Sequence, residues 1–323
     1  MPARTIAVLG STGNQGGGVV AALLASPSPA FSVLALTRDP SSGAAKALLA
    51  EHKDAVDAGR LRLVQADLND RGSLEAALGG AEGVFAAFTE SDEETEQGKR
   101  LVDAAKATGI QHFVYSTLPS LARLTSGKII KAKPFELKEP VALCAEEQLP
   151  NVTLVAAGAF YSNFSSPFYA YRDADDTVVF CSPLKEGTGH ELLDPSYDMG
   201  QYVSAIFSAP LATVKGKTYA VSTRAQTLPE IAEEYERATG EKAVARPRSL
   251  EDAVAAVAKD AESAEMWTEM YTYLGSLPPG SRCYGSMKPE EDTAAQDLGV
   301  RASTLTEYLE RTGYRVPRKK EEK

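Results

Sequence analysis

The chain has 323 residues, with 34 lysines and arginines against 44 aspartates and glutamates, which gives a formal net charge of −10. Hydrophobic residues make up 43% of the sequence, a share typical of a globular protein with a buried core. A net negative surface repels phosphate backbones and anionic lipid headgroups. Direct binding to nucleic acid or to a membrane surface is therefore not expected.

The three cysteines are few, odd in number and widely spaced: Cys144, Cys181 and Cys283. They predict neither a disulfide framework nor a metal site, and the three histidines are equally scattered. Free thiols are typical of a reducing compartment, so we expect the cytoplasm, with the nucleus as a second location. The aliphatic run over 19–25 is far shorter than the roughly 20 residues needed to cross a bilayer.

The first half of the chain alternates between strand-like and helix-like segments. Short apolar runs without polar alternation predict strands buried on both faces at Thr5–Leu9, Phe31–Thr37, Leu61–Gln65, Gly83–Phe88, His112–Ser116 and Val152–Ala157. Helices are predicted between them at Gly16–Ala25, Ser41–Glu51, Ser73–Leu78, Asp92–Thr108 and Phe135–Gln148. Repeated strand–helix–strand units predict an α/β fold with a Rossmann-type, doubly wound parallel sheet.

After about Phe160 the pattern changes. Strands are predicted at Thr177–Cys181, Glu191–Leu193 and Thr218–Val221, and helices at Met199–Phe207, Leu228–Ala238 and within Leu250–Leu274 and Met287–Gly313. We therefore predict a dinucleotide-binding domain over residues 1–160 and a smaller mixed α/β C-terminal subdomain over residues 161–316. A charged, disordered tail is predicted over 317–323.

A glycine-rich loop follows the first predicted strand and opens the first helix. Its residues are Gly10, Ser11, Thr12, Gly13, Asn14, Gln15 and Gly16. Glycines allow a tight turn and a close approach of the backbone to a pyrophosphate, and the helix N-terminus offers free N–H groups. A turn that binds nothing would fit the same glycines. The strand before the loop and the helix after it favour a dinucleotide-binding loop.

The second predicted strand ends at Thr37, and Arg38 and Asp39 follow it directly. An acidic residue at this place accepts hydrogen bonds from the ribose hydroxyls and favours NAD, whereas an arginine pairs with a 2′-phosphate and favours NADP. Because Arg38 comes first, the predicted cofactor is NADP(H). The alternative, in which Asp39 neutralises the guanidinium or favours NAD, stays open.

Two further strand ends carry candidate cofactor contacts. Asp67 and Leu68 follow the third predicted strand, where the adenine is expected, and Phe88, Thr89 and Glu90 follow the fourth, where the ribose and nicotinamide half would run. Each segment is equally compatible with a plain loop or a helix cap, and Asp67 is a suitable N-cap residue.

Several segments together resemble the NmrA-like family of atypical short-chain dehydrogenases. They are GSTGNQGG, ALTRDP, GKRLVDAAKATGIQHFVYST, AAGAFYSNF and TLPEIAEEYERATG, and the likeness covers roughly residues 4–313. The family includes NADP(H)-binding redox sensors that bind partner proteins, and NAD(P)H-dependent reductases. The resemblance implies a cofactor site formed by residues 10–15, Arg38, residues 67–68, residues 88–90, Lys138, Phe160, Tyr161 and Asn163.

By the resemblance, Lys138 occupies the position of the lysine that takes part in catalysis in short-chain dehydrogenases. Catalytic short-chain dehydrogenases pair this lysine with a tyrosine four residues earlier, and the lysine holds the nicotinamide ribose and lowers the pKa of the phenol. Here the earlier position is Pro134, which cannot transfer a proton. Lys138 and Tyr161 are the candidate catalytic residues. Ser116, Thr117 and Tyr115 are further polar candidates that fit structural roles equally well.

The intact glycine loop and the missing tyrosine favour an NADP(H)-binding redox sensor that acts through a regulatory protein partner. The alternative is an NADPH-dependent oxidoreductase that reduces a small carbonyl, enone or imine substrate. Lys138 and the aromatic stretch Phe160–Tyr171, which can line an apolar pocket, support the alternative. The glycine loop argues against a scaffold without cofactor. Both a monomer and a homodimer are compatible with the sequence.

Overall fold

The computed structural model of the chain describes residues 3–28, 30–89, 91–185 and 187–318. Glu90 of the predicted site and residues 319–323 of the predicted tail lie outside the described residues. The strands, in chain order, are β1 Arg4–Leu9, β2 Phe31–Thr37, β3 Leu61–Gln65, β4 Gly83–Ala86, β5 His112–Thr117, β6 Val152–Ala157, β7 Ala159–Phe160, β8 Ala170–Arg172, β9 Val178–Ser182, β10 Leu192–Leu193, β11 Thr218–Val221 and β12 Ala243–Pro247.

Within the described residues, seven strands form one parallel sheet in the order β11-β6-β5-β4-β1-β2-β3. A smaller mixed sheet joins β12, β9 and β8, and β7 pairs with β10. The predicted Rossmann-type fold with a mixed C-terminal part is therefore confirmed. The strands predicted for the first half are also confirmed, because strands buried on both faces leave an almost continuous apolar run in the sequence.

The helices, in chain order, are α1 Asn14–Ala25, α2 Gly43–Glu51, α3 Lys53–Asp57, α4 Arg71–Leu78, α5 Glu94–Ala107, α6 Leu121–Leu124, α7 Lys133–Glu136, α8 Glu139–Gln148, α9 Asp198–Ser208, α10 Leu211–Val214, α11 Leu228–Thr239, α12 Leu250–Val257, α13 Ala261–Leu274, α14 Ala294–Leu298 and α15 Leu305–Thr312. Side-chain caps begin many of them; Thr227 and Thr304 each form a capping box with the glutamate three residues on. No helix in the described ranges is long and apolar enough to cross a bilayer.

Three segments predicted to be helical are interrupted in the structure. The segment predicted as Phe135–Gln148 contains α7 and α8, which meet at residues 137–138. Pro140 explains the break, because it lacks the N–H that would bond to the Glu136 carbonyl. Asp260 caps a new helix inside Leu250–Leu274, and Gly299 ends α14 in the left-handed conformation inside Met287–Gly313. Strands β8 and β12 were not predicted, because β8 has only three residues and β12 ends in the exposed, non-aliphatic residues Arg246 and Pro247.

The two faces of the large sheet are covered by different helices. Helices α1 and α9 lie on one face, and α4, α5 and α8 lie on the other. Where α1 crosses α9, Gly18 and Gly200 let the two backbones approach closely. A Cβ added to Gly18 would lie 2.2 Å from the Ser196 carbonyl oxygen, and one added to Gly200 would lie 2.2 Å from the Gly18 carbonyl oxygen.

The described structure does not divide cleanly at residue 160. Strand β11 completes the large sheet beside β6, although it comes from the part of the chain predicted as the C-terminal subdomain. Helix α9 likewise packs on α1. Both contacts depend on long-range pairing that a local change in sequence pattern does not reveal. The mixed sheet has its own core, formed with α11 and α15.

Candidate functional site

The strand order of the large sheet reverses between β1 and β4, since β2 and β3 extend to one side and β5 and β6 to the other. In open α/β sheets, ligands bind at such a reversal, outside the carboxyl ends of the strands. A cavity of about 570 Å³ opens there. The predicted residues that line it are Gly10, Thr12, Arg38, Asp67, Leu68, Phe88 and Thr89.

The glycine loop has no room for side chains at two positions. Gly10 has a φ of +75°, and a Cβ there would lie 2.6 Å from the Ala87 carbonyl oxygen. A Cβ on Gly16 would lie 2.2 Å from the Gly10 carbonyl oxygen. Gly13 precedes α1 and donates its N–H to the Gly10 carbonyl at 2.9 Å. The loop therefore brings the bare backbone of Gly10 to the cavity and leads directly into the N-terminus of α1.

The polar side chains of the loop have different roles. Ser11 is buried and donates its hydroxyl to the Leu36 carbonyl at 2.9 Å, which fixes the loop to the end of β2. Gln15 accepts a hydrogen bond from the Ser116 hydroxyl at 2.7 Å, so it connects the loop to the end of β5. Thr12 and Asn14 are exposed, and only Thr12 of these four predicted residues lines the cavity among the described residues.

Arg38 and Asp39 do not neutralise each other. The Asp39 carboxylate accepts hydrogen bonds from the Ser41 backbone N–H at 2.8 Å and from the Ser41 hydroxyl at 2.6 Å. These bonds hold the pKa of Asp39 below its ordinary value. Among the described residues, no acidic side chain pairs with the exposed Arg38 guanidinium. The geometry thus supports the prediction that Arg38 is available to an anionic ligand.

Asp67 lies in a turn and does not cap a helix. Its carboxylate accepts the Asn69 N–H at 2.8 Å, whereas α4 is capped by Asp70, whose carboxylate accepts the Gly72 N–H at 2.9 Å. Other cavity residues were missed by the sequence analysis: Ser42, Asn69, Ser91, Glu93 and Gln97. Ser42, Asn69 and Ser91 lie a few residues beyond a strand end, so the sequence analysis could have included them with the strand-end loops. Glu93 lies directly before α5 and Gln97 lies within it.

Lys138 lies outside the lining of this cavity, at the bend between α7 and α8. Its ammonium group forms an ion pair with the Glu94 carboxylate. The Glu94 side chain is fully buried, and that of Lys138 is 16% exposed.

Tyr161 lies in the core of the C-terminal part. Its hydroxyl donates to the Ser303 carbonyl at 3.1 Å, and its ring stacks on Tyr308 with the centroids 5.1 Å apart. The residue is fully buried, and burial raises the pKa of its phenol. These contacts favour a structural role, because the hydroxyl is already hydrogen-bonded and the ring is packed in the core of the C-terminal part. Phe160 and Asn163 do not line the described cavity either.

The structure brings a different tyrosine, Tyr284, to the carboxyl end of β6. Its hydroxyl donates to the Ala157 carbonyl at 3.0 Å, and its ring meets the Phe135 ring edge-on at 5.0 Å. Tyr284 also lines a small cavity of about 80 Å³, whose other walls are largely apolar and include Ala159, Leu274 and Leu277. No sequence signal pointed to this residue, because 127 positions separate it from Ala157.

The turn that carries Tyr284 is strained. Cys283 and Tyr284 have φ values of +49° and +55°, a conformation that costs roughly 1–2 kcal/mol for each non-glycine residue. Arg282, directly before these two residues, is held in place by ion pairs with Glu191 at 2.6 Å and with Asp292 at 2.5 Å. Strained backbone held by such contacts is often found at functional sites.

The reversed sheet order and the glycine loop define a Rossmann-type protein of the dinucleotide-binding kind. The chain belongs to the NmrA-like family, whose model matches residues 2–309. It is 33% identical over 270 residues to the NmrA-like family domain-containing oxidoreductase hkm9 of Aspergillus hancockii, with 76% of each chain covered. It is 29% identical over 260 residues to the corresponding oxidoreductase FrzB of Cladobotryum sp, with 73% of this chain and 74% of the relative covered.

Solved structures share the fold. The negative transcriptional regulator NmrA in complex with NADP has a TM-score of 0.77 at 21% identity, with 97% of this chain and 96% of that chain covered. The Escherichia coli NADPH-dependent quinone oxidoreductase complexed with NADPH has a TM-score of 0.70 at 22% identity, with 96% and 100% covered. At these identities the likeness shows the common architecture.

Proposed function

We propose that the protein binds NADP(H) and acts as an NADPH-dependent oxidoreductase on a small carbonyl, enone or imine substrate. The observation that carries the proposal is the cavity at the reversal of the strand order. Gly10 and Thr12 of the glycine loop, which leads into α1, line one part of it, and Arg38, free of Asp39, lines another.

The residues of the cavity fit each part of such a cofactor. The N-terminus of α1 beyond Gly13 would bind the pyrophosphate, and Arg38 would pair with the 2′-phosphate. Asp67, Leu68 and Asn69 would surround the adenine. When bound, the cofactor supplies a hydride. The residues of the protein would position the cofactor.

Replacing Arg38 by alanine is expected to raise the dissociation constant for NADPH by about 30-fold, because a charge-assisted hydrogen bond to a phosphate contributes about 2 kcal/mol. The dissociation constant for NADH, which lacks the 2′-phosphate, should not change. Calorimetric titration of both cofactors checks this difference. Equal affinity of the unaltered protein for NADH and NADPH would contradict the assignment of Arg38.

The proposed oxidoreductase activity rests on the names of the relatives and on the Tyr284 hydroxyl, which lies at the end of β6. Tyr284 places a phenol beside a largely apolar cavity, and burial raises the pKa of this phenol. The hydroxyl therefore stays protonated near neutral pH, and its one proton is donated to the Ala157 carbonyl. To donate to a carbonyl oxygen or an imine nitrogen of a substrate, it would exchange that hydrogen bond for one to the substrate. A small substrate with one polar group suits such a lining.

A redox sensor that acts through a protein partner is the second candidate. The observations that favour it are Pro134 at the position of the usual tyrosine and the buried, structurally engaged Tyr161. A sensor must bind NADPH and NADP⁺ with different affinity in two conformations of the protein.

Loss of NADPH absorbance in the presence of a panel of ketones, enones and cyclic imines distinguishes the two candidates. We expect substrate-dependent oxidation of NADPH. Tight binding of NADPH without turnover of any compound would contradict the oxidoreductase and favour the sensor. Failure to bind either form of the cofactor would contradict both.

A further inference from the structure

A buried ion pair joins helix α5 to the bend between α7 and α8. Glu94 is the first residue of α5, and its fully buried carboxylate accepts a hydrogen bond from the Lys138 ammonium. Burying a carboxylate costs several kcal/mol in general, and an ion pair often does no more than offset this cost. Stability alone therefore gives a weak reason for a charged pair at this place in the fold.

The residues next to the ion pair are also hydrogen-bonded to each other. The Thr95 hydroxyl donates to the Leu137 carbonyl at 2.8 Å, so the neighbours of Glu94 and Lys138 are bonded as well. One turn later, Gly98 lets α8 approach closely, since a Cβ there would lie 2.4 Å from a methyl carbon of Val141. The lysine is thus held both through its main chain and through its side chain.

The ion pair lies beside the cofactor cavity. Glu93, which precedes Glu94, lines the cavity, and so does Phe88. Phe88 packs edge-on against Tyr115 with the centroids 6.0 Å apart, and the charge of Glu94, after burial, contributes to raising the pKa of the Tyr115 phenol. Glu94 and Lys138 therefore lie next to the part of the cavity that follows β4.

We propose that Glu94 is a positioning residue that holds the Lys138 ammonium towards the nicotinamide ribose, an inference that rests on the proposed binding of NADP(H). An ammonium group has three N–H donors. Glu94 accepts one of them, and the Lys138 side chain stays 16% exposed, which would leave the other donors for ribose hydroxyls. Pro134 offers no hydroxyl four residues before the lysine, so the carboxylate from α5 fixes the direction of the ammonium.

Affinities for two ligands test the proposal. NADPH carries the nicotinamide ribose, whereas 2′,5′-ADP contains only the adenosine half. We expect Glu94→Gln to raise the dissociation constant for NADPH by about 10-fold and to leave that for 2′,5′-ADP unchanged. Lys138→Met should have the same selective effect. The double variant should be no weaker than Lys138→Met alone, because both changes remove one interaction.

Glu96→Gln is the matched control, because Glu96 is exposed on the same turn of α5 and pairs only with Lys99 among the described residues. This variant should bind both ligands normally. If Glu94→Gln lowers the melting temperature but leaves the ratio of the two dissociation constants unchanged, Glu94 is merely structural and the proposal fails.

If Glu94→Gln does not fold, Glu94→Asp is the alternative variant, because it keeps the charge. A selective loss of NADPH affinity is again expected. An unchanged ratio of the two dissociation constants in this variant would likewise overturn the proposal. If the unaltered protein binds neither ligand, the proposed function itself is wrong.

Discussion

Replacing Gly13 by valine is expected to raise the dissociation constant for NADPH by at least about 100-fold while the chain stays folded. Gly13 is exposed directly before α1, and its φ of −97° and ψ of 174° are accessible to valine. The nearest atom to an added Cβ is the Gly10 carbonyl oxygen at 3.3 Å, a contact that small shifts relieve. A branched side chain would instead occupy the space in front of the N–H groups of α1, where the pyrophosphate is expected.

Calorimetric titration with NADPH, together with a thermal melt of each variant, checks this result. Gly13→Ala serves as the graded control and should lose less affinity, because a single methyl group covers less of the helix N-terminus. An unchanged dissociation constant in the folded valine variant would mean that the pyrophosphate binds elsewhere.

A second large effect is expected on stability rather than on binding. Gly18→Ala should lower the free energy of unfolding by about 3 kcal/mol, because overpacking against backbone forces helices apart. The added Cβ would lie 2.2 Å from the Ser196 carbonyl oxygen, and Gly200 occupies the same crossing from the side of α9. Helix propensity alone predicts the opposite sign, since alanine is favoured over glycine by about 1 kcal/mol inside a helix.

Gly17→Ala is the matched control for this substitution. A Cβ at Gly17 would meet the Ser11 carbonyl oxygen at 3.5 Å, an ordinary contact, so this variant should be as stable as the unaltered chain or slightly more stable. Chemical denaturation measures both differences. Equal stability of the two alanine variants would show that α1 and α9 adjust to each other without cost.

The sequence allowed the large sheet and the cofactor loop to be predicted, because both leave local signals. Strands such as His112–Thr117 are apolar along their whole length, and the glycine loop must follow a strand and precede a helix. Arg38 could be proposed as a cofactor contact because it stands one residue past a strand end. In each case the physical cause acts within a few residues of the chain.

The remainder of the site depends on contacts between distant segments. Glu94 and Lys138 are 44 positions apart in the sequence. No local sequence pattern indicates that the buried Glu94 carboxylate forms an ion pair with the Lys138 ammonium. For Tyr161, closeness in sequence was misleading. It follows β6 and β7 directly, but its side chain packs in the core of the C-terminal part and not at the edge of the large sheet. The break before α8 could have been predicted from the sequence, because Pro140 cannot continue the preceding helix α7.

The pairing of β11 with β6 has a consequence for synthesis on the ribosome. The outer edge of β6 carries unpaired backbone groups until Thr218–Val221 has emerged, long after the cofactor-binding strands are complete. An open sheet edge is a template for pairing with another chain. A nascent or truncated chain that ends near residue 160 therefore exposes an aggregation-prone edge. During co-translational folding, the large sheet of the cofactor-binding half is therefore completed late, by strand β11 from the other half of the chain.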